Sequence, residues 1–579
     1  MFESTSSMEN PERDLARQII ENTNTNLFLT GRAGTGKTTF LRQIREEVHK
    51  RMVVLAPTGI AAINAGGVTI HSFLQLPFAP FIPGMQFRTD QFRMPDRKKR
   101  LIRSLDLIVI DEISMVRADL LDSVDAALRR YRDPMRPFGG VQLLLIGDLQ
   151  QLSPVVKDED RELLSRYYDS EYFFSSHALQ KTPFVTVELQ TVYRQSDDDF
   201  LHLLNAVRNS TIDAELLARL NARYIPDFRP PAGEAYVRLV THNHQADAIN
   251  RAEMTALTTP AFTYEAEVKD KFPESSYPAA ERLTLKRGAQ VMFIRNDNNG
   301  RYYNGRIGHV TYLDNEKIQV LCPGDELEIE VQQETWENTK YTLNEKTKQI
   351  EAEVQGTFKQ YPLRLAWAIT IHKSQGLTFG HAIIDAQSSF AAGQVYVALS
   401  RCKTLEGLVL ASPISSSAII NDSQVTNYIS HQTEEAAKSI KALPVLKEEY
   451  YRQLLLELFS FTDLKACEDA LYRVLTEYFY KYPKIITLHK MAIIDLDERI
   501  IGVSMKWGSV IWRMTTEQLH EEKFLERVKK SALYFHSQLT EIFSHLIDIT
   551  KGVQSNNKTA NKRFDNSFSD LRQAYSTKH

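Results

Sequence analysis

Gly31-Arg32-Ala33-Gly34-Thr35-Gly36-Lys37-Thr38 decides how the rest of the chain is read. It follows the apolar run Asn26-Leu27-Phe28-Leu29-Thr30, which predicts a buried strand, and leads into Thr39-Phe40-Leu41-Arg42-Gln43-Ile44, whose spacing predicts a helix. Strand, glycine loop and helix make the setting that a phosphate-binding loop needs. The glycines let backbone N–H groups turn inward around a polyphosphate, and the helix N-terminus adds its positive dipole end. There Lys37 reaches the β and γ phosphates and the Thr38 hydroxyl ligates magnesium. A chance glycine-rich turn would not bring loop, Lys-Thr pair and both flanks into agreement.

Further buried strands surround this loop. Met52-Val53-Val54-Leu55-Ala56 ends in Pro57-Thr58-Gly59-Ile60-Ala61-Ala62, which sets backbone donors at a sheet's carboxyl edge, although Thr58 also suits a simple helix cap. Val68-Thr69-Ile70-His71-Ser72-Phe73 offers a donor in His71 and a ring in Phe73, whose commoner fate, taken alone, is burial. Leu107-Ile108-Val109-Ile110 delivers Asp111 and Glu112 at its end, one suited to the water shell of magnesium and the other to polarising an attacking water. Val141 to Ile146 is followed by Gly147-Asp148-Leu149-Gln150-Gln151, which puts a glutamine within reach of a γ-phosphate. Strands at Leu27, Val53, Ile108, Leu143 and Val185 alternate with helical segments, the pattern of a parallel doubly wound sheet over 26–187.

The whole chain bounds the rest. At 579 residues it exceeds one core and predicts several domains. No stretch approaches the roughly 20 apolar residues of a membrane span. Met1-Phe2-Glu3-Ser4 starts neither a signal core nor an Arg-rich transit segment, and Cys322, Cys402 and Cys467 stand too far apart for a disulfide framework or a zinc site, so a reducing cytoplasmic setting is the default. With 70 basic against 73 acidic residues, any nucleic-acid surface must be a local patch; Arg97-Lys98-Lys99-Arg100 with Arg103 is a candidate.

Residues 1–25 predict a short helix, and 75–105 an irregular insertion rich in proline before that basic run. A second α/β region opens near 188 with Tyr193-Arg194-Gln195 and the strand Tyr236 to Thr241. Short alternating strands with Asn-Gly turns predict a β insert over 295–360. The α/β texture resumes with Thr370-Ile371-His372-Lys373-Ser374-Gln375-Gly376, the strand His381 to Asp385, and Val395 to Arg401. Residues 431–551 are strongly helical, and 552–579, rich in Asn, Lys and Ser, predict a disordered tail.

The ordered set of blocks over roughly 12–412 resembles superfamily 1 DNA helicases of the Pif-one (petite integration frequency) and RecD-like group. The blocks are Gly31 to Thr38, Pro57 to Ala62, Thr69 to Phe73, Asp111 to Met115, Gly147 to Pro154, Tyr193 to Gln195, Thr370 to Thr378 and Val395 to Arg401, all in family order. The resemblance implies two RecA-like domains, 26–187 and 188–294 with 361–430, and ATP and magnesium in the cleft between them. It also implies a wedge insert at 75–105 and an SH3-like insert at 295–360; the helical region 431–551 lies outside the resemblance, and its short helices suit a helix-turn-helix or winged module or, more commonly, an ordinary cap. On its pattern Gly31, Gly34, Thr35, Gly36, Lys37, Thr38, Thr39, Gln151, Arg194, Gly376 and Arg401 hold nucleotide, and Thr38 and Asp111 hold metal. Lys37, Glu112, Gln151, Arg194 and Arg401 carry the chemistry. Arg194 and Arg401 match the arginines that the second domain supplies, and two arginines suit a phosphoryl transfer that spreads negative charge over equatorial oxygens.

Thr58, Gly59, His71, Phe73, Thr370, His372 and Lys373 match the strand-contacting blocks. The activity implied is ATP-driven 5′ to 3′ travel on single-stranded DNA, with forked duplex as substrate, by a monomer acting in DNA repair, recombination or replication. G-quadruplexes and RNA–DNA hybrids are family-level expectations. A nucleotide-switched DNA-binding ATPase that does not unwind is the alternative. Gln18 is the nearest glutamine ahead of the loop that could read adenine.

Overall fold

In a computed structural model of the chain, the residues described are 10–84, 94–193, 197–231, 234–297, 300–344, 347, 349–385, 393–419 and 422–579. Strands β1 (Asn26–Gly31), β2 (Met52–Ala56), β3 (Val68–Thr69), β4 (Leu107–Ile110), β5 (Gln142–Ile146) and β6 (Phe184–Leu189) form one sheet in the order β3-β2-β4-β5-β1-β6. Every pairing is parallel. The apolar runs are unbroken because both faces are covered. Leu107 and Val109 pack with the helices Pro11–Asn22 and Lys37–Glu47, while Ile108 and Ile110 pack with Ala118–Tyr131. The two-residue β3 is an addition to the five strands expected. The carboxyl edge of this sheet carries both the glycine loop, after β1, and Asp111 and Glu112, after β4.

β7 (Val237–Val240) starts a second parallel sheet. The chain then leaves it through β8 (Ala261–Glu265), β9 (Glu267–Asp270), β10 (Arg282–Lys286), β11 (Gln290–Phe293), β12 (Ile307–Leu313), β13 (Ile318–Leu321), β14 (Ile329–Val331), β15 (Glu334–Leu343), β16 (Ile350–Gln360) and β17 (Leu363–Leu365). It returns with β18 (Ala368–Thr370), β19 (Ala382–Ile384) and β20 (Leu408–Leu410), giving the order β18-β7-β19-β20. The β portion therefore begins near Ala261, ahead of the expected 295. β8 and β10 pair antiparallel inside the 188–294 stretch expected to belong to the second RecA-like domain. Five strands form β14-β13-β12-β11-β17, and the long β15–β16 hairpin pairs with β9. That hairpin reaches the first domain. Leu343 joins its core, and the Tyr341 hydroxyl accepts from Val54 N at 3.3 Å.

Two expectations need correction. The basic run expected in an irregular insertion lies on a helix, Asp96–Ser104, which turns Leu101 and Ile102 into the first core; residues 85–93 of the insertion lie outside the described residues. Its charge is largely engaged within the protein. The Lys98 ammonium sits 4.1 Å above the Phe73 ring, and burial lowers its pKa to about 8; Lys99 pairs with Asp96 at 2.7 Å and Arg97 with Glu353 at 3.7 Å. The expected disordered tail is instead the helix Lys558–Lys578, capped by Asn557, with Ala560, Phe564, Phe568 and Leu571 buried. Spacings of four, four and three residues make an apolar stripe that the polar composition hid.

The helical C-terminal domain has its own core, with Leu464, Leu471, Leu475, Leu496, Ile511, Leu539 and Phe543 among its buried residues. It is joined to the second sheet by the 36-residue helix Ser423–Leu458. This helix lies along the back of the first domain. Gln432 accepts from Thr186 at 2.7 Å, Tyr428 stacks on Phe174 at 4.1 Å, Lys447 donates to Gln18 at 2.8 Å, and Lys50 sits 4.6 Å above the Tyr450 ring. Among the described residues no helix is long and apolar enough to cross a membrane.

Candidate active site

The glycine loop is shaped by backbone conformation. Gly34 and Gly36 take φ values of 84° and 88°, and the helix Lys37–Glu47 starts at Gly36 with no side-chain cap, leaving its first turn open to an anion. The Lys37 ammonium donates to the carbonyls of Gly31 at 2.6 Å and Arg32 at 3.0 Å, while Thr38 and Thr39 face solvent. Thr35 is buried and its hydroxyl donates to Arg32 O at 2.9 Å, so the side chain braces the loop.

Asp111 is tied to β2 by its N–H, which donates to Leu55 O at 2.9 Å. Glu112 takes a left-handed φ of 54°, a conformation that costs a side-chain-bearing residue on the order of 1–2 kcal/mol. Loss of solvation pushes both carboxyls up. The Asp111 charge raises Glu112 further, whereas Lys37 and Arg401 oppose the rise. Across the cleft, the Gln375 amide donates from Nε2 to Glu112 Oε2 at 2.8 Å.

Gln151 donates from Nε2 to Asp148 Oδ2 at 3.1 Å. Asp148 also receives Arg208 Nη2 at 3.2 Å, and Arg208 Nη1 lies 3.6 Å from Glu188. Burial works against the Asp148 charge, but Arg208, Lys37 and the Gln151 donor hold its pKa below the ordinary value. Arg208 ends the helix Asp198–Arg208, whose Phe200, Leu203, Leu204 and Val207 belong to the second-domain core. This buried pair therefore joins the two domains beside Gln151. Nothing in Ala206-Val207-Arg208-Asn209 marks it in the sequence.

Two further contacts close the same seam. A Cβ on Gly393 would stand 2.0 Å from the Gln151 carbonyl oxygen, so only glycine admits this approach. Three residues on, the Tyr396 hydroxyl accepts from Ala33 N of the glycine loop at 3.2 Å. Arg401 is 1% exposed; its guanidinium donates to Val397 O at 3.0 Å, to Ser374 O at 3.3 Å and to Leu377 O at 3.4 Å. Arg194 lies outside the described residues. Tyr193, just before it, donates from N to Gly34 O at 2.9 Å, and its half-exposed ring lies beside Gly36, a flat surface next to the loop that the sequence reading passed over.

The expected strand-contacting residues divide. Thr58 is exposed and caps the helix Gly59–Ala65, accepting from Ala61 N at 3.2 Å. His71 is half-buried and stacks on Phe78 with centroids 4.6 Å apart. Phe73 is 1% exposed, a correction to its expected role in stacking: the helix Ile70–Leu74 turns residues 70, 73 and 74 into the core and 71 and 72 outward. The ring that does face solvent is Phe78, 86% exposed, which the sequence reading missed although it stands between Pro77 and Pro80 in a segment with no helical spacing. Thr370 is likewise corrected. It is 4% exposed, and its hydroxyl accepts from Lys373 N at 3.3 Å, so it caps the turn that presents half-buried His372 and exposed Lys373. Gly376 lies exposed at the end of this turn. Gln18 accepts from Lys447 and so is engaged by the long helix.

Residues 9–216 match the model of the PIF1-like helicase family, and 442–579 match that described as DNA helicase, middle domain. The ATP-dependent DNA helicase Pif1 of Bdellovibrio bacteriovorus is 31% identical over 69% of this chain and 87% of its own length. The human ATP-dependent DNA helicase PIF1 is 34% identical over 66% of this chain, which spans only 57% of that relative. Structures of Bacteroides sp Pif1, 40% identical, superpose with TM-scores of 0.70 for the complex with ADP-AlF4, 0.68 for the unliganded protein and 0.55 for the form bound to ssDNA. They cover 74–75% of this chain and 98% of theirs.

Proposed function

The chain belongs to the PIF1-like helicase family, and on that premise we propose that it is an ATP-dependent DNA helicase that travels 5′ to 3′ along single-stranded DNA in DNA repair, recombination or replication. The observation that carries the reading is the seam itself. Two RecA-like parallel sheets meet at one phosphate loop, and contacts from the second domain end on Ala33, Glu112 and Asp148.

In hydrolysis a water oxygen attacks the γ-phosphorus, the bond to the bridging oxygen of ADP breaks, and the water proton passes to Glu112. Lys37 and the loop N–H groups hold the β and γ phosphates. Arg401, with Arg194, meets the equatorial oxygens as the cleft closes, and Gln151 orients the water or the γ-phosphate. A hydroxyl at Thr38 and a carboxylate at Asp111, beside open N–H donors, fit Mg2+ that keeps water and phosphate among its ligands. When bound, that ion neutralises charge on the phosphates. His71, His372, Lys373, Thr58 and Gly59, with Phe78, contact the strand through phosphate and stacking interactions that ignore sequence. Alternate gripping by the two domains then becomes movement.

Strand displacement from a forked duplex with a 5′ tail tests the reading. DNA-stimulated hydrolysis without displacement would leave the nucleotide-switched binder instead. The same assay on RNA–DNA hybrid and G-quadruplex substrates ranks their use.

Two measurements follow from particular residues. Replacing His372 and Lys373 together by alanine weakens single-strand binding and flattens its log–log salt dependence by about 0.7, the share of one phosphate contact; an unchanged slope removes Lys373 from the strand. Glu112 is pushed up and must be ionised to accept the proton. The hydrolysis rate therefore falls with acid as pH passes down through a pKa above the ordinary carboxylate value of about 4, and an acid limb at or below that value counts against Glu112 as the base.

A further inference from the structure

The turn 370–377 touches the expected strand site on one side and both catalytic groups on the other. Its backbone is tightly wound: Ser374 N donates to Thr370 O at 3.0 Å, Gln375 N to His372 O at 3.2 Å and Leu377 N to Ser374 O at 3.0 Å. The backbone of His372 and Lys373 is thereby coupled to that of Gln375. From that turn the Gln375 side chain crosses the seam to Glu112, and the carbonyls of Ser374 and Leu377 hold the Arg401 guanidinium. A carboxylate oxygen that accepts an amide N–H is a poorer acceptor for a water proton, because the bond favours its charged form. An arginine engaged by carbonyls is likewise held from a phosphate. The chain superposes on Bacteroides sp Pif1 with TM-scores of 0.70 for the ADP-AlF4 complex and 0.68 for the unliganded protein, against 0.55 for the form bound to ssDNA.

We propose that Gln375 is a latch that restrains Glu112 while no strand is bound, and that a strand seated on His372 and Lys373 draws the turn back and frees Glu112 and Arg401 together. The latch rests on the motor reading and says how DNA switches hydrolysis on. It sets the sign of an experiment. If Gln375 instead held Glu112 in its working position, losing it would slow hydrolysis under every condition.

Gln375→Leu removes the donor at nearly constant shape, and Gln375→Ala is made in parallel, each compared with the parent at matched folding by circular dichroism. The latch predicts a DNA-free ATPase rate about tenfold above the parent, a DNA-stimulated rate within about twofold of it, and a single-strand affinity raised by up to about the same tenfold, because the strand no longer has to open the latch. The stimulation ratio then falls by about the same tenfold. A DNA-free rate that stays level or drops in both folded variants overturns the latch while leaving the motor reading intact. A parent rate that DNA does not raise overturns both.

Discussion

Lys37→Ala lowers the ATP hydrolysis rate by about a thousandfold, the equivalent of about 4 kcal/mol of lost transition-state stabilisation. The ammonium lies among the carbonyls of Gly31 and Arg32 and within electrostatic reach of Asp111, Glu112 and Asp148. Removing it also leaves the carboxyls less opposed, so Glu112 becomes harder to ionise. Single-strand affinity without nucleotide stays within about twofold, because the strand contacts assigned to Thr58, Gly59, His71, Phe78, His372 and Lys373 do not include Lys37. Rapid-quench hydrolysis and fluorescence anisotropy measure the two quantities separately. Loss of both together points to a damaged fold, and retention of the rate removes Lys37 from the phosphates.

Arg208→Gln carries the second large effect. Breaking a buried ion pair from one side leaves the other charge without its partner, at a cost of about 3–5 kcal/mol. Here the stranded group is Asp148, which also receives the Gln151 amide. We expect a lowered urea midpoint for the domains it joins, together with slower hydrolysis as Gln151 loses its fixed acceptor. The double variant Arg208→Gln with Asp148→Asn is the informative one, because removing both charges restores part of the stability. Additive losses would show that the pair is not coupled.

The parts legible in the sequence are those written in local chemistry. Glycines at Gly34 and Gly36 announce the loop, and unbroken apolar runs announce strands covered on both faces. Asp111 and Glu112 stand out because acids rarely end such a run. The seam is another matter. Arg208 occupies an ordinary helix end, and only the approach of two sheets gives it Asp148 as a partner; Gln375 likewise becomes significant only when Glu112 lies opposite. Phe73 and Thr370 were assigned to a strand through their blocks, whereas the turn of one short helix buries the first and backbone capping occupies the second. The last helix was hidden by averaging: four buried residues in a polar segment outweigh the composition once they share one face.

The long helix Ser423–Leu458 leaves the second sheet yet lies on the first domain, so covalent order and mechanical attachment disagree. The helical domain beyond it is a passenger of the phosphate-loop half. On the proposed motor it keeps step with Lys37, not with Arg401, at each opening of the cleft. On that proposal, whatever this chain carries on its C-terminal domain is held in constant register with the phosphate loop and moves against the half that holds His372 and Lys373.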